Sequence, residues 1–198
     1  KREKVQQDIL AYTNSVTPDA LVQEALSLKS RGNIGISYTY NEPIIFAEFV
    51  HDSAELAKEA GLRNILVTNG YFSKESWDYL SNLIDAMNID LKTMSEKTYG
   101  EYCGCKLKPI LETIKKAHKK GIHIEITTLI IPGVNDSPAE LTKIAKFISS
   151  VDKNIPWHVT RFFPMYKMQD KEMTGLDTLH SAAKIGRKYL KYVHVGNV

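Results

Sequence analysis

Residues 107–151 read LKPILETIKKAHKKGIHIEITTLIIPGVNDSPAELTKIAKFISSV, and the order of signals within this stretch decides the fold. From Leu107 to Lys120 the apolar residues return every three or four positions, the spacing of one helix face, and Gly121 follows as a C-terminal stop. His123 to Ile131 is then an apolar, β-branched run with the length of a buried strand. Ser137 precedes Pro138 as an N-cap before a first-turn proline, and helical periodicity resumes as far as Val151. Helix, strand and helix in direct succession form the repeating unit of a parallel α/β fold.

The same alternation extends in both directions. Strands are predicted at Ile34 to Tyr40, Asn64 to Thr68, Met87 to Lys92, Trp157 to Phe162 and Tyr192 to Val195. Helices are predicted at Pro18 to Ser30, Pro43 to Ala60, Lys74 to Asp85 and Leu176 to Leu190. Parallel strands joined by right-handed helical crossovers make either a (β/α) barrel or an open doubly wound sheet. No Gly-x-Gly-x-x-Gly or Gly-Lys-Ser/Thr loop follows any strand, which argues against the open nucleotide-binding sheet. A complete eightfold barrel takes about 250 residues. The 198 residues therefore predict a partial barrel, read as one domain over 1–198 with no linker or low-complexity segment.

Composition sets further bounds. The chain has 26 Lys and Arg against 23 Asp and Glu, with lysines scattered through helix-like segments, so no nucleic-acid partner is expected. No run reaches the roughly 18 apolar residues of a membrane span, so no membrane partner is expected either. Two cysteines are too few for a disulfide scaffold, and with no apolar leader at Lys1 to Val5 they point to a reducing, cytoplasmic setting.

In parallel α/β folds ligands bind beyond the carboxyl ends of the strands, and five of those ends are polar here. They are Tyr38-Thr39-Tyr40-Asn41-Glu42-Pro43, Thr68-Asn69-Gly70-Tyr71, Asn88-Ile89-Asp90-Leu91-Lys92, Ile131-Pro132-Gly133-Val134-Asn135-Asp136 and Trp157-His158-Val159-Thr160-Arg161-Phe162. Asn41-Glu42-Pro43 suits capture of an ammonium group, and it equally suits a helix N-cap with an acidic first turn. Asp90 and Lys92 project to the same side of a strand, either as an ion pair or as a site. His158 reads as a ligand or as a hydrogen-bonded core residue, and the Pro132 segment as a binding loop or a turn into a helix cap. Cys103-Gly104-Cys105 lacks the companions that a metal site needs, so both cysteines are read as incidental.

In this order, Tyr-Thr-Tyr-Asn-Glu-Pro, Val-Thr-Asn-Gly-Tyr, Asn-Ile-Asp-Leu-Lys, Ile-Pro-Gly-Val-Asn-Asp-Ser and Pro-Trp-His-Val-Thr-Arg-Phe resemble radical S-adenosylmethionine (SAM) enzymes related to pyruvate formate-lyase-activating enzyme. The resemblance covers nearly the whole chain. It looks closest to the radical SAM member of the AmmeMemoRadiSam system, to which the ending Tyr192 to Val198 is also similar. The implied fold is a partial (β/α)6 TIM-like barrel, here lacking its first βα unit. In the family that unit carries a Cys-x3-Cys-x2-Cys loop holding a [4Fe-4S] cluster. The loop is absent from this chain, so its thiolates are expected upstream of Lys1 and the chain alone is expected to be inactive.

The implied chemistry is reductive cleavage of SAM to a 5'-deoxyadenosyl radical, which abstracts hydrogen from a protein or small-molecule substrate. The cofactors supply the radical, and the protein orients them and excludes water. An electron donor such as flavodoxin or ferredoxin is the implied partner. Tyr40, Asn41 and Glu42 resemble the family's Gly-Gly-Glu-Pro segment that receives the SAM ammonium, with Tyr40 and Asn41 in place of the glycines. Lys92 and His158 match positions that hold the SAM carboxylate or ribose, and Thr68, Asn69 and Asp90 match the neighbouring polar cluster. Pro132 matches the segment flanking adenine. Some relatives bind a monovalent cation beside Thr68, but Val67 stands where the ligand Asp is expected. Two other readings remain: a cluster-free barrel lyase with Lys92 as a Schiff-base nucleophile beside Asp90, and a non-catalytic interaction module.

Overall fold

The computed structural model describes residues 15–198, so the segment at Lys1 to Val5 lies outside the described residues. Strands β1 (Gly35–Tyr38), β2 (Arg63–Thr68), β3 (Ala86–Asp90), β4 (His123–Ile130), β5 (Trp157–Arg161) and β6 (Val193–Gly196) form one parallel six-stranded sheet in sequential order. Helix α1 (Pro18–Ser27) precedes β1. Helices α2 (Ala47–Glu59), α3 (Lys74–Leu80), α4 (Leu107–Lys120), α5 (Pro138–Val151) and α6 (Leu176–Gly186) bridge successive strands. Sequential parallel order with helical crossovers is the architecture of a partial (β/α) barrel. Among the described residues no helix is long and apolar enough to cross a membrane.

Period-two alternation divides the sheet into two faces. Tyr38, Leu66, Met87, Ile89, Ile126 and Trp157 are buried toward the helices, where Ile110, Ile114 and Ala117 of α4 and Leu141, Ile144 and Ile148 of α5 meet them. The opposite face carries the half-buried Asn88, Asp90, Glu125, Thr127, His158 and Thr160. This polar face runs up to the carboxyl ends of the strands, where a site is expected.

The predicted elements are all present, and the differences lie at their ends. The helix expected from Pro43 begins as a 3-10 turn, Pro43–Phe46, before α2. Its first turn is capped by the Glu42 carboxylate, which also reaches β2 and holds the turn against that strand. Helix α3 stops at Leu80, because Asp85 turns back to accept from the Asn64 backbone at 2.9 Å and from Arg63 at 2.7 Å, drawing the chain into β3. Helix α6 stops at Gly186 in a turn that receives the Tyr189 and Leu190 backbone amides.

Gly186 allows α6 to approach β5 closely. A Cβ there would stand 2.7 Å from the indole of Trp157, which is fully buried and donates to the Thr128 hydroxyl at 2.9 Å. The indole has no room to retreat without breaking that bond. Gly186→Ala is therefore expected to destabilise the protein by about 1–3 kcal/mol, seen as a lower urea midpoint at an unchanged m-value. An unchanged midpoint would show that α6 is not held against Trp157.

Candidate functional site

The ends of β1, β2 and β3 enclose a cavity of about 500 Å³ lined by Thr39, Tyr40, Asn41, Glu42, Val67, Thr68, Asn69, Asp90 and Lys92. Seven of the residues singled out in the sequence thus meet in one place. They arrive there because each follows an apolar run that stops at the same level of the parallel sheet.

Glu42 is the organising group. Its Oε1 accepts from the Thr68 hydroxyl at 2.7 Å and from the Ile44 amide at 3.4 Å, and its Oε2 accepts from the Asn69 amide at 2.7 Å. One carboxylate therefore serves as the helix cap, as one alternative reading held, and also ties the end of β1 to the end of β2. Gly70 follows with φ of +75°, and a Cβ there would stand 2.7 Å from Ile89, so only glycine fits this turn.

Lys92 Nζ donates to Asp90 Oδ2 at 2.8 Å, which realises the ion pair expected from their spacing. The side chains are 41% and 35% exposed, so both charges also face the cavity. The backbone around Lys92 is held on every side. Its amide donates to the Tyr99 hydroxyl at 2.9 Å, and its carbonyl accepts from the buried Asn135 Nδ2 at 2.7 Å. The Leu91 carbonyl accepts from Thr128, and the next two residues are anchored by the buried Glu140 carboxylate through the Thr93 hydroxyl and the Met94 amide. Burial pushes the Tyr99 phenol well above its ordinary pKa, so it remains a neutral donor and acceptor.

Pro132 and His158 do not line this cavity. His158 lies on the polar face of β5, in the same lateral row as Asp90 and Thr127, with Nε2 2.6 Å from Glu125 Oε2 and its ring stacked on His194 at 5.1 Å. Burial opposes ionisation of Glu125, but hydrogen bonds from His158 and His123 outweigh it and hold that carboxyl below its ordinary pKa. Pro132 belongs to the turn closed by Asn135 and Asp136, whose side chains accept from Ile131 and Gly133. The Arg161 Nε donates to the Thr174 carbonyl at 2.8 Å, and its guanidinium lies over Phe163.

Sequence reading alone passed over Tyr99, Glu125 and Glu140, and it read Asn135 only as part of the Pro132 segment. Glu125 did leave a signal, since an acid amid the apolar alternation of β4 must lie on the polar face. Glu140, three residues after Ser137, reads as half of a capping box. Its amide does donate to Ser137 Oγ, but its carboxylate goes instead to the Thr93 segment. No local pattern reveals a bond made 47 residues away.

The family model of the radical SAM superfamily matches residues 8–147. The chain belongs to this superfamily. It is 40% identical over 185 residues to an uncharacterized protein of Methanocaldococcus jannaschii, a match covering 92% of this chain and 54% of that protein. It is 26% identical over 153 residues to pyruvate formate-lyase 1-activating enzyme of Escherichia coli, covering 72% of this chain and 62% of the enzyme. A domain of pyruvate-formate lyase-activating enzyme from Bacteroides vulgatus superposes with a TM-score of 0.69 at 20% identity, covering 82% of this chain and 99% of that domain. This radical SAM chain is therefore related to the activating enzymes. It spans only 54% and 62% of the length of the two relatives compared by sequence.

The two cofactors of the superfamily fit the chain differently. SAM presents an ammonium, a carboxylate and a ribose diol. The cavity offers carboxylates from Glu42 and Asp90, an ammonium from Lys92 and the side-chain amide of Asn69, so the donor set fits. The iron-sulfur cluster does not fit, since among the described residues no three His, Cys, Asp or Glu side chains are grouped to hold a metal, and the chain has only two cysteines.

Proposed function

We propose that this chain is the SAM-binding part of a radical SAM enzyme of the activating-enzyme type, within the AmmeMemoRadiSam subgroup that the ordered motifs and the Tyr192 to Val198 ending resemble. The observation that carries the proposal is the convergence of Glu42, Asn69, Asp90 and Lys92 on one cavity at the carboxyl ends of β1 to β3. Bound SAM supplies hydrogen abstraction through reductive cleavage of its sulfonium, with the electron drawn from a donor of the flavodoxin or ferredoxin type. The chain's own residues bind and orient it. Glu42 and Asp90 accept from the ammonium, Lys92 donates to the carboxylate, and the hydrogen bonds around Lys92 keep its backbone from shifting on binding. The thiolates for a cluster belong to protein outside this chain, and no step is assigned to them.

Ion pairing of Lys92 with Asp90 counts against the Schiff-base reading, because a lysine held as an ammonium is a poor nucleophile. Two measurements test the proposal. Calorimetry of the purified protein with SAM is expected to give a 1:1 isotherm. Anaerobic reconstitution of the full-length protein with iron, sulfide and dithionite is expected to release 5'-deoxyadenosine. SAM binding without any 5'-deoxyadenosine from a fully reconstituted protein would support the interaction module instead.

A further inference from the structure

A second cavity of about 470 Å³ adjoins the first and shares Glu42, Asn69 and Lys92 with it. Its other walls differ in character: Ile44, Ile45, Tyr71, Tyr99, Tyr102, Cys103, Cys105 and Ile110. Folding alone does not account for this lining. Tyr71 and Tyr102 remain 41% and 43% exposed, and Ile45 is more exposed still, so three large apolar side chains face solvent around one opening. The wall bearing Tyr102 and Cys103 is also irregular. Residues Tyr99–Cys103 form a π-helical turn that ends in Gly104 with φ of +65°, and such turns recur at functional sites.

The chemistry of the walls restricts the occupant. Charge is confined to the neck, where the Glu42 carboxylate and the Lys92 ammonium face the polar cavity as well. Beyond the neck, among the described residues, the lining holds no Asp, Glu, Lys, Arg or His. Burial raises the Tyr99 phenol and both thiols above their ordinary values, so all three stay protonated. Beyond the neck a charged ligand would meet no counter-ion among the lining residues and would lose hydration. An uncharged ring would meet tyrosine faces, thiol sulfurs and isoleucine methyls, and a polar substituent on it would find hydroxyl and thiol groups to bond.

We propose that this second cavity is a binding site for an uncharged aromatic ring bearing a hydrogen-bonding group, seated next to the polar cavity and separated from it by Glu42, Asn69 and Lys92. Calling that ring the substrate rests on the radical SAM reading above; that the cavity binds an arene does not.

Protection of Cys103 tests the site, because this thiol is exposed on the cavity wall. Full-length protein carrying Cys105→Ser is treated with N-ethylmaleimide, and the Cys103 peptide is followed by mass spectrometry. Millimolar N-acetyltyrosinamide and 4-ethylphenol are the probes. The expected result is that at least one slows labelling about fivefold, while N-acetyltyrosine, which adds a carboxylate, and N-acetylleucinamide, which lacks the ring, do not. Protection by the amide alone assigns the ring to a peptide side chain, and protection by 4-ethylphenol assigns it to a free arene. Tyr102→Ala is expected to abolish the protection. The site is overturned if neither arene protects, or if the leucine probe or the charged probe protects equally well. These probe comparisons use no Tyr102 variant, so misfolding of that variant would not decide them. SAM calorimetry on the same sample separates the two readings: protection without SAM binding sinks the radical assignment and leaves the aromatic site standing.

Discussion

Glu42→Gln is expected to weaken SAM binding by about 10- to 150-fold, the equivalent of about 1.5–3 kcal/mol for one hydrogen bond to a charged group. The substitution conserves shape and removes charge. Glutamine can still accept from the Asn69 amide through its single oxygen, but its NH2 group cannot accept from the Thr68 hydroxyl and the Ile44 amide, which Oε1 now serves. Thr68 is buried, so its hydroxyl loses a partner that water cannot easily replace. A modest drop in thermal stability should therefore accompany the loss of affinity. Calorimetry with SAM and a melting curve on the same preparation check both. Wild-type affinity in Glu42→Gln would remove Glu42 from the ammonium site and leave it only its role as a clamp between β1 and β2.

Lys92→Met is expected to lower SAM affinity about 10- to 100-fold while changing unfolding free energy by less than about 1 kcal/mol. The two halves of this prediction have different causes. The Asp90–Lys92 pair is more than one third exposed on both sides, so solvent already screens most of its contribution to stability. Binding responds more strongly, because SAM displaces water from the cavity and its carboxylate would then face Asp90 and Glu42 with no cation nearby. Lys92→Arg should not restore affinity fully, since the planar guanidinium cannot occupy the position of a compact ammonium that donates to Asp90. Urea unfolding and calorimetry measured side by side read the two effects. A large stability loss with unchanged affinity would make the ion pair structural.

Much of this organisation was legible in the sequence. Apolar periods of 2 and about 3.6 gave strands and helices in the right order, and capping by Thr17, Ser137 and the prolines behind them marked helix starts correctly. Asp90 and Lys92 were readable as partners, because residues two apart on a strand must point the same way. Element ends were less legible where distant side chains set them, as with Asp85, whose bonds to Arg63 and Asn64 cut α3 short of the expected boundary.

The partial parallel barrel follows from the chain's own alternation of apolar patterns, since each βα unit can bury its apolar face only against the next. Which strand-end residues share a cavity was decided by packing. Strand register brings Glu42, Thr68, Asn69, Asp90 and Lys92 together but leaves His158, level with Asp90 and two strands away, in a separate pair with Glu125. That Tyr71 and the Cys103-Gly104-Cys105 segment would share an aromatic, thiol-walled chamber beside them had no signal in the sequence. Tyr71 comes from the segment after β2, Tyr102 and Cys103 from the π-helical turn after β3, and only the packing of the two makes them walls of one space.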